Sequence, residues 1–241
     1  MQLEDKAVLV TGASRGLGRA LLAAFADAGA RVVGVARNQE EIERAATELS
    51  ARGRSAHALA ADVADKHAIH AIAGAAAALV GPIDVLVHNA STLGPTPLPL
   101  LLDTECEDFA HVLELNLLGP FRLSKAIIGS MLLRGSGLVL HVSSDAAVVP
   151  YPRWGAYGVS KAALDQLGRI WATELEGSGV RTLSIDPGEM DTDMHRAALP
   201  DADPATLARP GDIARWIIRR VREAERIPSG SRLSAVHEEA V

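Results

Sequence analysis

Cysteine occurs once in this chain, at Cys106, so no intrachain disulfide can staple it, and the expected home is a reducing cytoplasm. Aromatic residues are also few. They make up 3% of 241 positions against 48% hydrophobic residues overall, which leaves Ala, Val, Leu and Ile to build the core. Small side chains of that kind suit helices packed closely on a sheet. The net charge of −6 comes with no basic stripe, which argues against a general nucleic-acid surface. The apolar stretch 71–80 is too short to span a membrane, and His67 and His70 just before it mark a core helix. Glu4, Asp5 and Lys6 precede the first apolar run, so no leader pattern is expected there. The histidines form no spaced ligand set, and no metal is assigned.

Short apolar runs alternate with longer segments of helical period. The runs Ala7–Val10, Val32–Ala36, Asp84–His88, Leu138–Val142 and Val180–Ile185 read as strands buried on both faces, with a weaker one at Ser55–Ala60. Residues 17–28, 39–52, 65–80, 103–133 and 156–177 read as helices. This alternation predicts an α/β fold: one doubly wound, mostly parallel sheet with helices on both faces, spanning 1–241 as a single domain. Gly/Pro-rich breaks at 94–99, 150–152 and 200–211 are too short to link separate domains. Sheets of this kind bind ligands beyond the carboxyl ends of their strands.

The first strand runs into Thr11-Gly12-Ala13-Ser14-Arg15-Gly16-Leu17-Gly18 and then a helix. Glycines there permit a tight turn, close approach of backbone to a pyrophosphate, and close helix–strand packing. The free N–H groups of the following helix would face the same phosphates. The spacing is Gly-x-x-x-Gly-x-Gly, and its place between strand and helix lifts it above a chance glycine cluster. The second strand ends at Ala36-Arg37, where a carboxylate would be expected if a ribose 2′-hydroxyl were to be held. Arg37 and Arg15 suit a 2′-phosphate instead, so NADP(H) is expected over NAD(H). Asp62-Val63 follows the third strand, placed to accept from an adenine amino group. Asn89 and Ala90 end the fourth with room for a cofactor beside the backbone, and His88 before them reads as a core histidine.

Tyr157 is one of two tyrosines, and Lys161 lies four residues on, hence on the same helix face. An ammonium beside a phenol favours the phenolate and is expected to draw its pKa down from about 10. The fifth strand ends at Ser143-Ser144, and a hydroxyl from that pair can approach the phenol and help to bind a carbonyl oxygen. Pro120 removes the helical partner of the Asn116 carbonyl, leaving a perch for a water that could link Lys161 to solvent.

Together these residues resemble the short-chain dehydrogenase/reductase family over nearly the whole chain, from the glycine turn to Asp186-Pro187-Gly188-Glu189-Met190-Asp191-Thr192. The resemblance implies a Rossmann-type fold with a seven-stranded sheet, and hydride transfer between NAD(P) and an alcohol/carbonyl pair. It also implies a catalytic set of Asn116, Ser144, Tyr157 and Lys161, with Ser144 chosen over Ser143 by its distance from the tyrosine. Asn89-Ala90 is similar to the family's Asn-Asn-Ala-Gly, with His88 and Ser91 at the flanks. Pro187, Gly188 and Thr192 resemble the segment that holds the nicotinamide carboxamide.

Relatives pair as dimers or tetramers through two long helices, which fall here at 103–133 and 156–177. His237-Glu238-Glu239-Ala240-Val241 stands where many relatives carry Asp-Gly-Gly, after a last strand near Ser231–Val236. The substrate is expected to be a small carbonyl compound or alcohol, met by the loops 91–104 and 145–154 and a flap over 189–204. Leu93, Tyr151, Trp154, Met190 and Met194 would make that end apolar, with Asp145, Glu189 and His195 as candidate polar contacts. A non-catalytic NADP(H)-sensing protein is the alternative, although such proteins characteristically lose the tyrosine or the lysine.

Overall fold

Side chains alternate across a strand, and β1 (Ala7–Thr11) divides its residues cleanly between two apolar layers in this computed structural model. Val8 and Val10 face one layer, Ala7 and Leu9 the other. The same division holds in β2 (Arg31–Ala36), β4 (Val85–His88) and β5 (Gly137–Val142), so the sheet centre is buried on both faces. β3 (Ala56–Ala60), β6 (Val180–Asp186) and β7 (Arg232–Ser234) complete seven strands in the order β3-β2-β1-β4-β5-β6-β7, all paired in parallel. The structure describes residues 1–236, so the expected departure at His237–Val241 lies outside the described residues.

One face is covered by α1 (Gly16–Asp27), α2 (Gln39–Ser50) and α8 (Pro210–Arg222), through Leu21, Phe25, Ile42, Trp216 and Val221. The other carries α3 (Ile69–Val80), α5 (Gly119–Arg134) and α6 (Gly155–Glu174), through Ile72, Leu123, Met131 and the partly buried Trp171. Each fully buried Leu or Phe contributes about 1.5–3 kcal/mol, which is how so few aromatics suffice.

Three expectations need correcting. Residues 103–133 are not one helix: a short 3-10 turn at Leu101–Asp103 is followed by α4 (Cys106–Leu113), a π-helical stretch at Glu114–Leu118, and then α5. Pro120 directly follows the widened turn, and because the helix runs on from that turn its missing N–H leaves one of the preceding carbonyls without a helical partner. The helix foreseen from residue 65 begins at Ile69, because Asp62 and Asp65 take the backbone N–H groups of Ala64 and His67 into local turns. A helix absent from the sequence reading, α8, starts at Pro210 and buries Trp216, Ile217 and Val221. Among the described residues, no helix is long and apolar enough to cross a membrane.

Candidate active site

Order 2-1-4-5 places the sheet's reversal between β1 and β4, and a cleft of ≈ 700 Å³ opens beyond the carboxyl ends of these strands. Its floor is the glycine turn, held by two side chains. Thr11 Oγ1 donates to the Val87 carbonyl at 3.2 Å and accepts from the N–H groups of Asn89 and Ala90 at 3.0 and 3.1 Å. Asn89 Nδ2 donates to the carbonyls of Thr11 and Gly12 at 3.0 and 3.1 Å. Gly12 has φ +66°, and a Cβ there would stand 2.7 Å from Ala90 Cα; one on Gly18 would overlap the Gly12 carbonyl oxygen. Side chains are excluded from this surface, which fits the close approach of a dinucleotide's phosphates.

Ser14, Arg15, Gly16 and Leu17 border the cleft beside that turn, as do Arg37, Asp62, Val63, Asn89 and Ala90. Arg37 is exposed at the end of β2 with no acidic residue in the strand behind it, which fits a 2′-phosphate. Arg15 lies 3.6 Å from Asp193, in the segment expected to act as a flap. Asn89 also bonds to the turn, and Val63 also packs in the core. Pro187, Gly188 and Thr192 also border the cleft, and Thr192 Oγ1 caps α7 (Asp193–Ala198) by accepting from His195 N at 3.2 Å.

The reacting end is made of side chains. Tyr157 and Lys161, on the first turns of α6, are 8% and 2% exposed, and both line the cleft with Ser144. Lys161 Nζ donates to the Val142 carbonyl at 2.8 Å and stands 5.5 Å from the centre of the Tyr157 ring. Burial brings the lysine down to about 8, with Asp165 one turn further along pulling the other way. Burial pushes the Tyr157 phenol well above its ordinary value; hydrogen bonding by Ser144 opposes the rise, and Asp145 and Asp186 add to it. The expectation that Lys161 draws the phenol down is therefore not met in the protein alone. Desolvation outweighs a lysine that burial has itself made less basic and that is held on a β5 carbonyl.

Ser144 Oγ donates to Asp145 Oδ1 at 2.9 Å, while Asp145 Oδ2 accepts from the Tyr151 hydroxyl at 2.9 Å. Asn116, fully buried in the π-helical stretch, does not line the cleft with the other three. Its amide instead clamps the substrate-side loop to α6: Oδ1 accepts from Thr92 N at 2.8 Å, and Nδ2 donates to the Thr92 carbonyl and to Ser160 Oγ at 2.9 Å each.

Two features went unread in the sequence. Arg232, on β7, is bonded to the carboxylates of Asp165 at 3.1 Å and Asp186 at 3.0 Å and to the Ser144 carbonyl at 2.8 Å. One guanidinium thus fixes α6, the end of β6 and the serine loop together. The second is a buried pair, His88 and His141, stacked with ring centres 5.4 Å apart beneath the site. His88 Nε2 meets Ser124 Oγ at 2.7 Å, which agrees with its reading as a core histidine.

The family profile described as short chain dehydrogenase matches residues 6–203. The chain belongs to the short chain dehydrogenase family. A short chain dehydrogenase of Pseudocercospora fijiensis is 39% identical over 198 residues, 80% of this chain and 62% of the relative's length. A 7α-hydroxysteroid dehydrogenase solved with NADH and 7-oxo glycochenodeoxycholic acid superposes with a TM-score of 0.88 at 30% identity, covering 97% of this chain and 94% of that one. A Beutenbergia cavernae chain described as an NAD(P) dependent gluconate 5-dehydrogenase, with NADP bound at low occupancy, gives 0.89 at 28% identity, covering 97% and 96%. As a member of this family, the chain has an oxidoreductase architecture that uses NAD(P)(H) on small molecules.

Proposed function

We propose that this protein is an NADP(H)-dependent oxidoreductase that interconverts a carbonyl and an alcohol, with Tyr157 as general acid and base. The observation that carries this reading is that Ser144, Tyr157 and Lys161 line the same cleft as the glycine turn. NADP(H), when bound, supplies or accepts the hydride. Tyr157 gives its proton to the carbonyl oxygen during reduction, which a phenol held protonated by burial is suited to do. Ser144 steadies the oxygen as charge develops, once its hydroxyl turns from Asp145. Lys161 would hold the nicotinamide ribose and restore the tyrosine's proton, with the Asn116 carbonyl as the candidate link to solvent. Arg37, with Arg15 released from Asp193, would grip the 2′-phosphate. The flap over 189–204 would close on the substrate.

Copies would pair through 103–133 and 156–177, where Phe121, Leu133, Val159 and Ile170 are exposed. Light scattering of the purified protein tests that pairing, and a monomer would refute it. The activity is tested by following NADPH oxidation over a panel of aldehydes and ketones. Turnover with at least one of them is expected; tight NADPH binding with no turnover of any would overturn the catalytic reading. Titration should show NADPH binding at least about tenfold tighter than NADH, a gap that Arg37→Ala removes. Equal affinities in the unaltered protein would sink the preference.

A further inference from the structure

Charge is spread unevenly along the cleft. Arg15 and Arg37 border it beside the glycine turn, whereas the segments expected to meet the substrate bring three carboxylates, Asp145, Glu189 and Asp193. Among the described residues, those segments bring no lysine or arginine to the cleft. Arg153 borders a separate small cavity and donates to the Leu98 carbonyl at 3.2 Å. Arg196 is bridged to Asp191 and Asp193. Asp193 already faces Arg15, and Glu189 is 67% exposed and 3.9 Å from His195.

Asp145 is different. It follows Ser144 directly, is half-buried, and is fixed by three bonds: Ser144 Oγ and Ala146 N on one oxygen, at 2.9 and 2.8 Å, and the Tyr151 hydroxyl on the other. Its charge is felt at the reacting phenol, whose pKa it helps to raise. The wall beside it is apolar, with Leu93, Ala146 and Tyr157 in one cluster and Trp154 packed against them. The one nearby ammonium, Lys161, is held on the Val142 carbonyl.

A substrate carboxylate next to the reacting carbonyl would therefore meet a fixed like charge in a partly desolvated site, with no free lysine or arginine to balance it. We propose that Asp145 makes this site select against substrates that carry a carboxylate beside the reacting carbonyl, so that its natural class is neutral, largely apolar ketones, aldehydes and the matching alcohols. The proposal rests on the oxidoreductase reading above.

The test compares phenylglyoxylate with its neutral, equally sized primary amide as substrates for NADPH-dependent reduction. The unaltered protein should favour the amide in kcat/KM by about a hundredfold or more, because a like charge a few ångströms away in a site of low dielectric costs at least that. Part of this gap is intrinsic to the two carbonyls, so the decisive reading is the change on substitution. Asp145→Asn keeps the oxygen that receives Ser144 and Ala146, removes the charge and turns the group facing the Tyr151 hydroxyl from acceptor to donor; it should narrow the ratio tenfold or more. Glu189→Gln, on the exposed carboxylate, should change it less than twofold.

Inhibition of the unaltered protein gives a second reading that needs no turnover of either keto compound. Benzamide should inhibit reduction of another ketone at lower concentration than benzoate. A ratio unmoved by Asp145→Asn, preference for the keto acid, or stronger inhibition by benzoate would each overturn the proposal. Absence of turnover for every carbonyl in the panel would instead overturn the oxidoreductase reading, and this inference with it.

Discussion

The two halves of the cleft are built from different materials. The glycine-turn half is backbone, held by neutral bonds from Thr11 and Asn89, and it would admit the proposed cofactor because side chains are missing. The reacting half is side chain, and much of it is ionisable: Tyr157, Lys161, Asp165, Asp186 and the two histidines are all buried. A surface made of peptide groups should be indifferent to pH and sensitive to added volume. A surface made of buried charges should respond in the opposite way. Binding and chemistry can thus be damaged separately.

The largest separation is expected from Tyr157→Phe. Losing the proton donor should lower kcat by at least about a thousandfold, within the range of general acid catalysis. NADPH affinity, read by the nucleotide's fluorescence, should change less than threefold. Loss of both together would erase the distinction between the halves.

The second test is acidity. Burial lowers His141 to about 4, helped by the Lys161 charge, and lowers His88 well below its ordinary value, with His141 and Lys161 adding to the effect. Unfolded histidines titrate near 6.5, so between that pH and about 4 the unfolded chain binds more protons than the folded one. Stability is therefore fully present above about 6.5 and is lost as pH falls toward about 4, by roughly 3 kcal/mol for a shift of this size. Denaturant midpoints measured across this range should show the slope. His141→Leu, which removes two ring nitrogens that have no partner in the structure, should flatten it. A slope unchanged by that substitution would mean that other groups carry the acid sensitivity.

Arg232→Met comes next. It strands two nearly buried carboxylates, and breaking a buried pair costs about 3–5 kcal/mol; with Arg232 itself 21% exposed, about 2 kcal/mol is expected, read as a lower denaturation midpoint. Adding Asp165→Asn should recover part of the loss, because one stranded charge is then gone. The backbone half is probed by added volume, since a Cβ on Gly18 would overlap the Gly12 carbonyl oxygen. Gly18→Ala should cost about 1–3 kcal/mol, as overpacking does, while weakening NADPH binding and leaving the pH profile of kcat in place.

Legibility in the sequence followed the same division. The glycine turn, the apolar strands and the Tyr157/Lys161 spacing are local patterns, and each lies where it was expected. Pro120 announced an irregularity in the helix it interrupts but not its form, since a kink, a break and a π turn begin from the same residue. α8 is masked in the sequence because the Pro- and Gly-rich segment before it reads as loop, although Pro210 is an ordinary first-turn residue and the apolar positions after it keep helical spacing. The direction of the Tyr157 shift does not follow from the sequence, because spacing reveals a neighbouring charge but not the burial that opposes it. Arg232 was invisible in principle. Its partners come from three separate elements, and nothing local to β7 indicates them.

That guanidinium also sets a timetable. Its contacts reach back 46, 67 and 88 residues, to Asp186, Asp165 and the Ser144 carbonyl. Contacts so distant along the chain form late, since the loops between them must close first. On a ribosome, every reacting residue emerges long before the strand that locks it in place. A nascent chain stalled short of residue 232 would carry the glycine turn and the tyrosine, yet leave two carboxylates unbalanced beneath them. The tie between α6, the end of β6 and the serine loop thus waits for the last described strand to dock.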